Sequence, residues 1–437
     1  MQLLKTQGRD SQKTAQLLAQ LERRGGTSLD SVLPTVRKIL SKVRKDGDKA
    51  LLAFAQKFDR LAPDASIRVS PEETAAAWQQ LDPLLQQALE TAAANIRAFA
   101  VEQLPASFEF SPPFPETGGL TTGQLVRPLA SVGCYVPGGR HPLPSTMLMT
   151  VIPAQVAGVP RIAVTSPNPA PETLATAHLL GVTEFYRLGG AHAVAALAYG
   201  TQSIPRVAKI VGPGNLFVTA AKRTVSNEQA AAIDMLAGPT EIVITSDLLT
   251  PARIASDLVA QAEHDPEALA IFITTNAELA KAVQKETKQR AKSNSVAQQA
   301  LAANGYIFLA ASPEEAQQIT NRLAPEHLTV DAPEDLAWVQ NAGSVFIGEH
   351  SPQPMGDYIS GPNHTLPTGG LATVRGGLSV NDFLKLITVQ QYSPEALAVL
   401  GPQAIRLAHA EGLTGHAAAI QTRLKSSAAS PAQGEVQ

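Results

Sequence analysis

Apolar residues recur at helical spacing along most of the first 100 positions. Stretches 11–24 and 28–58 carry them three and four residues apart, and Pro71-Glu72-Glu73 opens an amphipathic run to about Ala100. A Pro-rich connection, Ser111 to Pro115, follows. The period then shortens. β-prone runs at Arg161–Ser166, Glu184–Leu188 and Val207–Val211 are each followed by a glycine or proline turn, then by helical patterns over 171–180, 191–200 and 215–226. The alternation restarts at Glu241–Thr245, Leu269–Thr275 and Tyr306–Ala310, with helices near 251–263, 277–303 and 313–322. His327–Val330 and Ser344–Ile347 are further short apolar runs, and beyond Gly376 the pattern predicts helices over about 379–390 and 394–411.

Strand–helix alternation at this spacing predicts parallel sheets built from crossover units. The expected fold is α/β, with two Rossmann-like parallel-sheet domains and small helical N- and C-terminal segments. In such sheets a ligand sits in the crevice outside the strand carboxyl ends.

The chain has 437 residues, 44% of them hydrophobic and 17% charged, with a net charge of -3. That balance offers no basic field for nucleic acid, and the clusters Arg23-Arg24 and Lys42 to Lys45 read as solvated faces. The amino terminus lacks an apolar core of signal-peptide length, and no run approaches the ~20 apolar residues that span a bilayer. A cytoplasmic protein without membrane partners is expected, ending in a disordered tail from Ser426 to Gln437. The single cysteine, Cys134, precludes an intramolecular disulfide or a thiolate metal cluster.

Several segments could carry chemistry. Gln261 and His264 are three apart on a predicted helix, so an amide oxygen and an imidazole share one face, either to bind a metal or simply to be solvated. Glu326 and His327 adjoin at a loop-to-strand junction and could serve two separate proton transfers, or form an ordinary turn. Met355 to Gly370 has neither period and holds Asp357, Asn363 and His364 among Gly and Pro, as a ligand loop or a surface loop does. Glu411 and His416 end a predicted helix, where capping competes with metal binding. The turns Val136 to Arg140 and Gly212 to Asn215 could offer N–H groups to a pyrophosphate, although neither completes GxGxxG. Cys134 reads as a small buried apolar residue rather than a nucleophile. His141, His178, His192, His350 and His409 have no local partner in the sequence.

Taken in order, these segments resemble the histidinol dehydrogenase family. The resemblance lies in Ile233 to Glu241 (IDMLAGPTE), Ala255 to His264 (ASDLVAQAEH), Tyr135 to Gly139, Gly212 to Val218, Ala324 to His327, Gly356 to Pro367 and Leu413 to His416, and it runs from about 25 to 424. It implies oxidation of L-histidinol through L-histidinaldehyde to L-histidine, with two NAD reduced in succession. It implies one zinc per subunit on Gln261, His264, Asp357 and His416, gripping the substrate's amino and imidazole nitrogens. By the same similarity His327 takes the alcohol proton, Glu326 activates the water that hydrates the aldehyde, and Thr240, His364 and Glu411 contact substrate. NAD contacts fall to Tyr135, Asn215 and His192, where the family commonly has Gln. Family enzymes are homodimers whose carboxy-terminal segment reaches the partner's site, so Glu411 and His416 would act in trans. The expected division is a helical segment 1–26, a discontinuous lobe 27–135 plus 240–378, a second lobe 136–239, and a helical segment 379–437. The alternatives are a zinc hydrolase using Glu326 to activate metal-bound water without nicotinamide, and a two-lobed binding or regulatory protein that holds an imidazole ligand through zinc without chemistry.

Overall fold

The computed structural model describes residues 1–25, 29–112, 118–138, 142–236 and 238–428, with side chains to 425. Part of the Pro-rich connection, Ala237, Gly139, Arg140, His141 and most of the expected tail lie outside the described residues. The chain forms two bodies, one of residues 1–104 with 129–383 and one of 105–128 with 384–437.

In the first body the chain opens on strand β1 (Gln2–Lys5), where the sequence suggested helix. A four-residue strand is too short to declare a period, and it is held by parallel pairing to a strand 300 residues away. In the second body, β2 (Phe108–Phe110) and β3 (Leu120–Pro128) pair antiparallel. The first body then builds a five-stranded parallel sheet from β4 (Val132–Tyr135), β5 (Ile162–Thr165), β6 (Glu184–Tyr186), β7 (Lys209–Val211) and β8 (Ala232–Ile233), in the order β6-β5-β4-β7-β8. Its second sheet takes β9 (Glu241–Thr245), β10 (Leu269–Thr274), β11 (Gly305–Leu309), β12 (His327–Val330) and β13 (Ser344–Ile347), in the order β1-β11-β10-β9-β12-β13. The five-stranded sheet starts at its centre with β4, winds outward, then crosses back; β9 to β13 do the same in the other sheet, whose edge is added by β1 from the amino terminus. The direction reverses between β4 and β7 in one sheet and between β9 and β12 in the other, so both are doubly wound. All six residues of β10 are buried, as a central strand covered on both faces requires.

Three helical stretches are broken where the periodicity runs on. Gly47, at φ +56°, separates helices Leu33–Asp46 and Asp48–Phe58. Asp82 ends one run and caps the next, accepting from the Leu85 N–H ahead of helix Pro83–Glu102. Asn294 does the same for helix Ser295–Asn304. The expected helix at 379–390 is instead a 3-10 turn, Val380–Phe383, leading into strand β14 (Leu384–Tyr392), which pairs antiparallel with β3. Its residues LKLITVQQY are β-branched at Ile387, Thr388 and Val389, and they complete the second body's three-stranded sheet. The carboxy-terminal segment is thus mixed, with helices Pro394–Ala410 and Thr414–Ala428 after the strand.

Two assignments to lobes also shift. β4, placed by sequence with the first lobe, is the central strand of the five-stranded sheet. Val36, Ile39, Val43 and Leu51, on helices also placed there, pack in one cluster with Leu188, Val194 and Ile210 of the five-stranded layer. An amphipathic pattern states which face is buried and not what covers it. Among the described residues no helix is long and apolar enough to cross a membrane.

Candidate active site

Thr240 and Glu241 stand at the amino end of β9, and Glu326 and His327 at the amino end of β12. This is opposite to the carboxyl-end crevice expected from the fold. The two strands are parallel neighbours, with His327 in register with Ile242, so the four residues meet at one edge. Glu326 Oε2 accepts from Thr240 Oγ1 at 2.6 Å and from the Glu241 N–H at 2.7 Å. Neither donor occupies Oε1. His327 Nδ1 lies 3.0 Å from the Glu241 carbonyl and 3.5 Å from Glu326 Oε2. A carbonyl can only accept, so Nδ1 carries the proton and Nε2 keeps a lone pair. Nε2 points to Asp357 Oδ1, 3.8 Å away. Burial alone would lower the His327 pKa, but the Glu326 and Asp357 carboxylates and the Glu241 carbonyl together hold it above the ordinary imidazole value.

The chain of contacts continues to Gln261, fully buried near the end of helix Pro251–Ala262. Its Nε2 donates to Thr240 Oγ1. That hydroxyl's one proton already goes to Glu326, so Thr240 accepts here and the amide orientation is determined. Among the described residues, Gln261 Oε1 is then left buried without a hydrogen-bond partner. His264 follows the helix, with Nδ1 3.2 Å from the Gln261 carbonyl. On the other side, Asp357 Oδ2 accepts from Gln353 Nε2 at 3.0 Å, and the Asp357 carbonyl accepts from His364 Nδ1 at 2.9 Å. His364 Nε2 meets Thr146 Oγ1 at 3.2 Å, and burial pulls this imidazole below its ordinary pKa. A cavity of about 260 Å³ opens here, lined by His327, Phe346, Asn363 and His364 among others.

The structure therefore gathers Thr240, Gln261, Glu326, His327, Asp357 and His364 of the sequence's candidates, with His264 alongside Gln261. Glu411 and His416 are exposed residues of the second body. Among the described residues, no three His, Cys, Asp or Glu side chains are arranged to hold a metal ion. Gln261 falls outside those residue types.

The five-stranded sheet reverses at the carboxyl ends of β4 and β7, the position at which sheets of this topology hold a ligand. Gly212, at φ +110°, approaches so closely that an added Cβ would stand 2.2 Å from the Tyr135 carbonyl oxygen. Asn215 is exposed and caps helix Leu216–Asn227, accepting from Phe217 and Val218 N–H. The other two candidates face inward. Tyr135 is buried, its hydroxyl accepting from Gly190 N–H at 3.1 Å, and burial pushes its pKa up to about 12. His192 is buried against Phe54 and Phe58 and bonds Asp59 at 2.6 Å. Asp59 also accepts from Gly189 N–H at 2.9 Å, so the pair pins the Gly189-Gly190 turn.

Sequence reasoning missed Asp59, Lys222, Asp234 and Glu241, and it misread Arg24. Lys222 and Asp234 form a buried ion pair that grips both the N–H and the carbonyl of Gly212. Arg24 is not a solvated cation but is paired with buried Glu241. Asp234 and Glu241 lie inside the IDMLAGPTE segment, which was a signal; Asp59 and Lys222 carried none. Cys134 is fully buried in β4, and burial pushes its thiol up to about 12, so it is no nucleophile at neutral pH.

Over residues 22–424 the chain matches the family profile of histidinol dehydrogenase. The chain belongs to the histidinol dehydrogenase family. It is 43% identical over 426 residues to the histidinol dehydrogenase of Bacillus thuringiensis, covering 95% of this chain and 97% of that one. Against the Methanosarcina barkeri histidinol dehydrogenase it is 45% identical over 410 residues, covering 91% and 93%. The crystal structure of the Elizabethkingia anophelis histidinol dehydrogenase matches with a TM-score of 0.90 at 34% identity, covering 98% of each chain. Family membership makes the chain an oxidoreductase of histidine biosynthesis and selects among the three readings open at the sequence level.

Proposed function

We propose that the chain oxidises L-histidinol through L-histidinaldehyde to L-histidine with two NAD in succession, using zinc to hold the substrate. The observation that carries this reading is Gln261 Oε1, buried and unpaired among the described residues, at one end of a hydrogen-bonded chain that passes through Thr240, Glu326 and the Glu241 backbone to His327. An orphaned buried acceptor costs about 1–3 kcal/mol, and a cation at that oxygen removes the cost. Gln261, His264 and Asp357 offer oxygen and nitrogen donors, a set that suits zinc without sulfur. The Nδ1 bond of His264 to the Gln261 carbonyl leaves its Nε2 free as a ligand. His416 is the fourth ligand in this reading. When bound, zinc would grip the amino and imidazole nitrogens of the substrate and so orient its alcohol.

His327 Nε2 takes the alcohol proton in the first oxidation, because the Glu241 carbonyl reserves the ring's other nitrogen. Glu326, anchored through Oε2, offers Oε1 to the water that adds to the aldehyde. As the water adds, His327 returns its proton to the aldehyde oxygen, and it then takes a hydroxyl proton of the hydrate in the second oxidation. When bound, NAD would supply the hydride acceptor for each oxidation. The loop after β7 suits its pyrophosphate, since Gly212 lets the backbone pack directly against the Tyr135 carbonyl and Asn215 heads a helix of twelve residues. Tyr135 borders that loop, and His192 supports it from beneath by holding Asp59 and the Gly189 turn.

A homodimer completes the site in this reading. Phe108, Phe110, Leu386, Ile387 and Tyr392 of the second body's sheet are each about half exposed, an apolar surface that a second copy would cover. Glu411 and His416 then serve the partner's site, with Glu411, Thr240 and His364 touching substrate.

The test is to incubate purified protein with histidinol and NAD, following NADH absorbance and histidine formed. Two NADH per histidine are expected, with activity lost on chelation and restored by zinc. Absence of NADH would refute the reading, and full activity in metal-free protein would remove zinc from it.

A further inference from the structure

Arg24 lies just beyond helix Ser11–Glu22, and its guanidinium forks onto the carboxylate of Glu241, 217 residues away. Nε reaches Oε1 and Nη2 reaches Oε2, both at 2.6 Å. Nη1 and Nη2 also donate to the Leu21 and Leu323 carbonyls, each at 2.8 Å, so the fork itself is held in place. The Gly369 N–H adds a third donor to the carboxylate at 3.0 Å. The Glu241 side chain is thereby immobilised in one orientation.

The backbone of the same residue faces the chemistry. Its N–H donates to Glu326 Oε2, and its carbonyl fixes the His327 Nδ1 proton. A shift of this one residue would turn both groups at once. A buried ion pair is a weak way to stabilise a strand end, since apolar residues of equal volume usually do as well. A bidentate pair does differ from an apolar contact in admitting a single geometry.

We propose that Arg24 is a positioning residue for the oxidation: by clamping Glu241 it sets the orientation of Glu326 and the tautomer of His327. This rests on the assignment of Glu326 and His327 as the proton-transfer pair.

The test uses the full-length, zinc-loaded enzyme. Misplacing a catalytic group by about 1 Å can cost ~10²-fold, so Arg24→Met should lower kcat for histidinol by that order, with KM for NAD unchanged. Arg24→Lys, which restores charge without the fork, should recover part of the loss and remain folded by thermal melting. In a His327→Gln background Arg24→Met should add little further loss, because its effect passes through a group already removed. Losses that simply multiply, or a kcat that is unchanged, would overturn the proposal. An unaltered enzyme that forms no NADH would instead refute the function. The imidazole nitrogen shifts of His327 would then decide: an Nδ1–H tautomer in the unaltered chain that is lost in Arg24→Met supports the clamp, and no change refutes it.

Discussion

Gly212→Ala tests the proposed nucleotide site most directly. The new Cβ would stand 2.2 Å from the Tyr135 carbonyl oxygen and 3.1 Å from its carbon, both backbone atoms, whereas real Cβ atoms essentially never come within 3.0 Å. Residue 212 also sits at φ +110°, where a side chain costs about 1–3 kcal/mol. Relieving the clash moves the loop away from Asp234, whose Oδ2 accepts the Gly212 N–H at 2.7 Å. Loss of that charge-assisted bond costs a further ~1.5–3 kcal/mol. A loop displaced in this way must be forced back when NAD binds, so binding loses about 2.5–6 kcal/mol. At about 1.4 kcal/mol per decade, the KM for NAD should rise between ~50-fold and ~10⁴-fold. The KM for histidinol should hold, because Gln261, Glu326 and His327 belong to the other sheet. Steady-state kinetics with each substrate varied in turn, and a thermal melt to verify folding, make the measurement. An unchanged KM for NAD in a folded variant would show that this loop does not hold the nucleotide.

Two further expectations rest on burial. Cys134, with its thiol at about 12, should resist iodoacetamide at pH 8 in the folded protein and react once it is unfolded; rapid labelling of the native chain would refute the buried placement. Burial also pushes the Asp257 carboxyl up to about 6, well above the ordinary aspartate range. The folded state then holds the proton more tightly than the unfolded one, so stability falls as pH rises through that window and stays lower above it. Asp257→Asn should therefore raise Tm at pH 8, by a stabilisation of about 1 kcal/mol after solvent screening, and leave it unchanged at pH 4. An equal shift at both pH values would point to packing instead of charge.

The sequence by itself determined what is local. Strands such as Leu269–Thr274 and Glu241–Thr245, and helices such as Pro251–Ala262, follow from runs and periods contained within a dozen residues, so their places were legible. The doubly wound α/β class follows from their alternation, and the family motifs located Gln261, Glu326, His327 and Asp357. Partners and direction were not legible. A basic pair at 23 and 24 looks solvated until helix Ser11–Glu22 delivers Arg24 to Glu241, and His192 has no partner until Asp59, 133 residues away, closes on it. The β14 segment declares itself only when β3 supplies the hydrogen bonds that its backbone needs. That Glu326 and His327 sit at strand amino ends, while the Gly212 loop sits at a carboxyl end, depends on how two sheets are closed by distant segments. Periodicity records which face of an element avoids water. The partner that covers the face, and the charge that answers a buried charge, are decided by the tertiary structure, because apolar burial is non-directional while hydrogen bonds and ion pairs require specific atoms to meet.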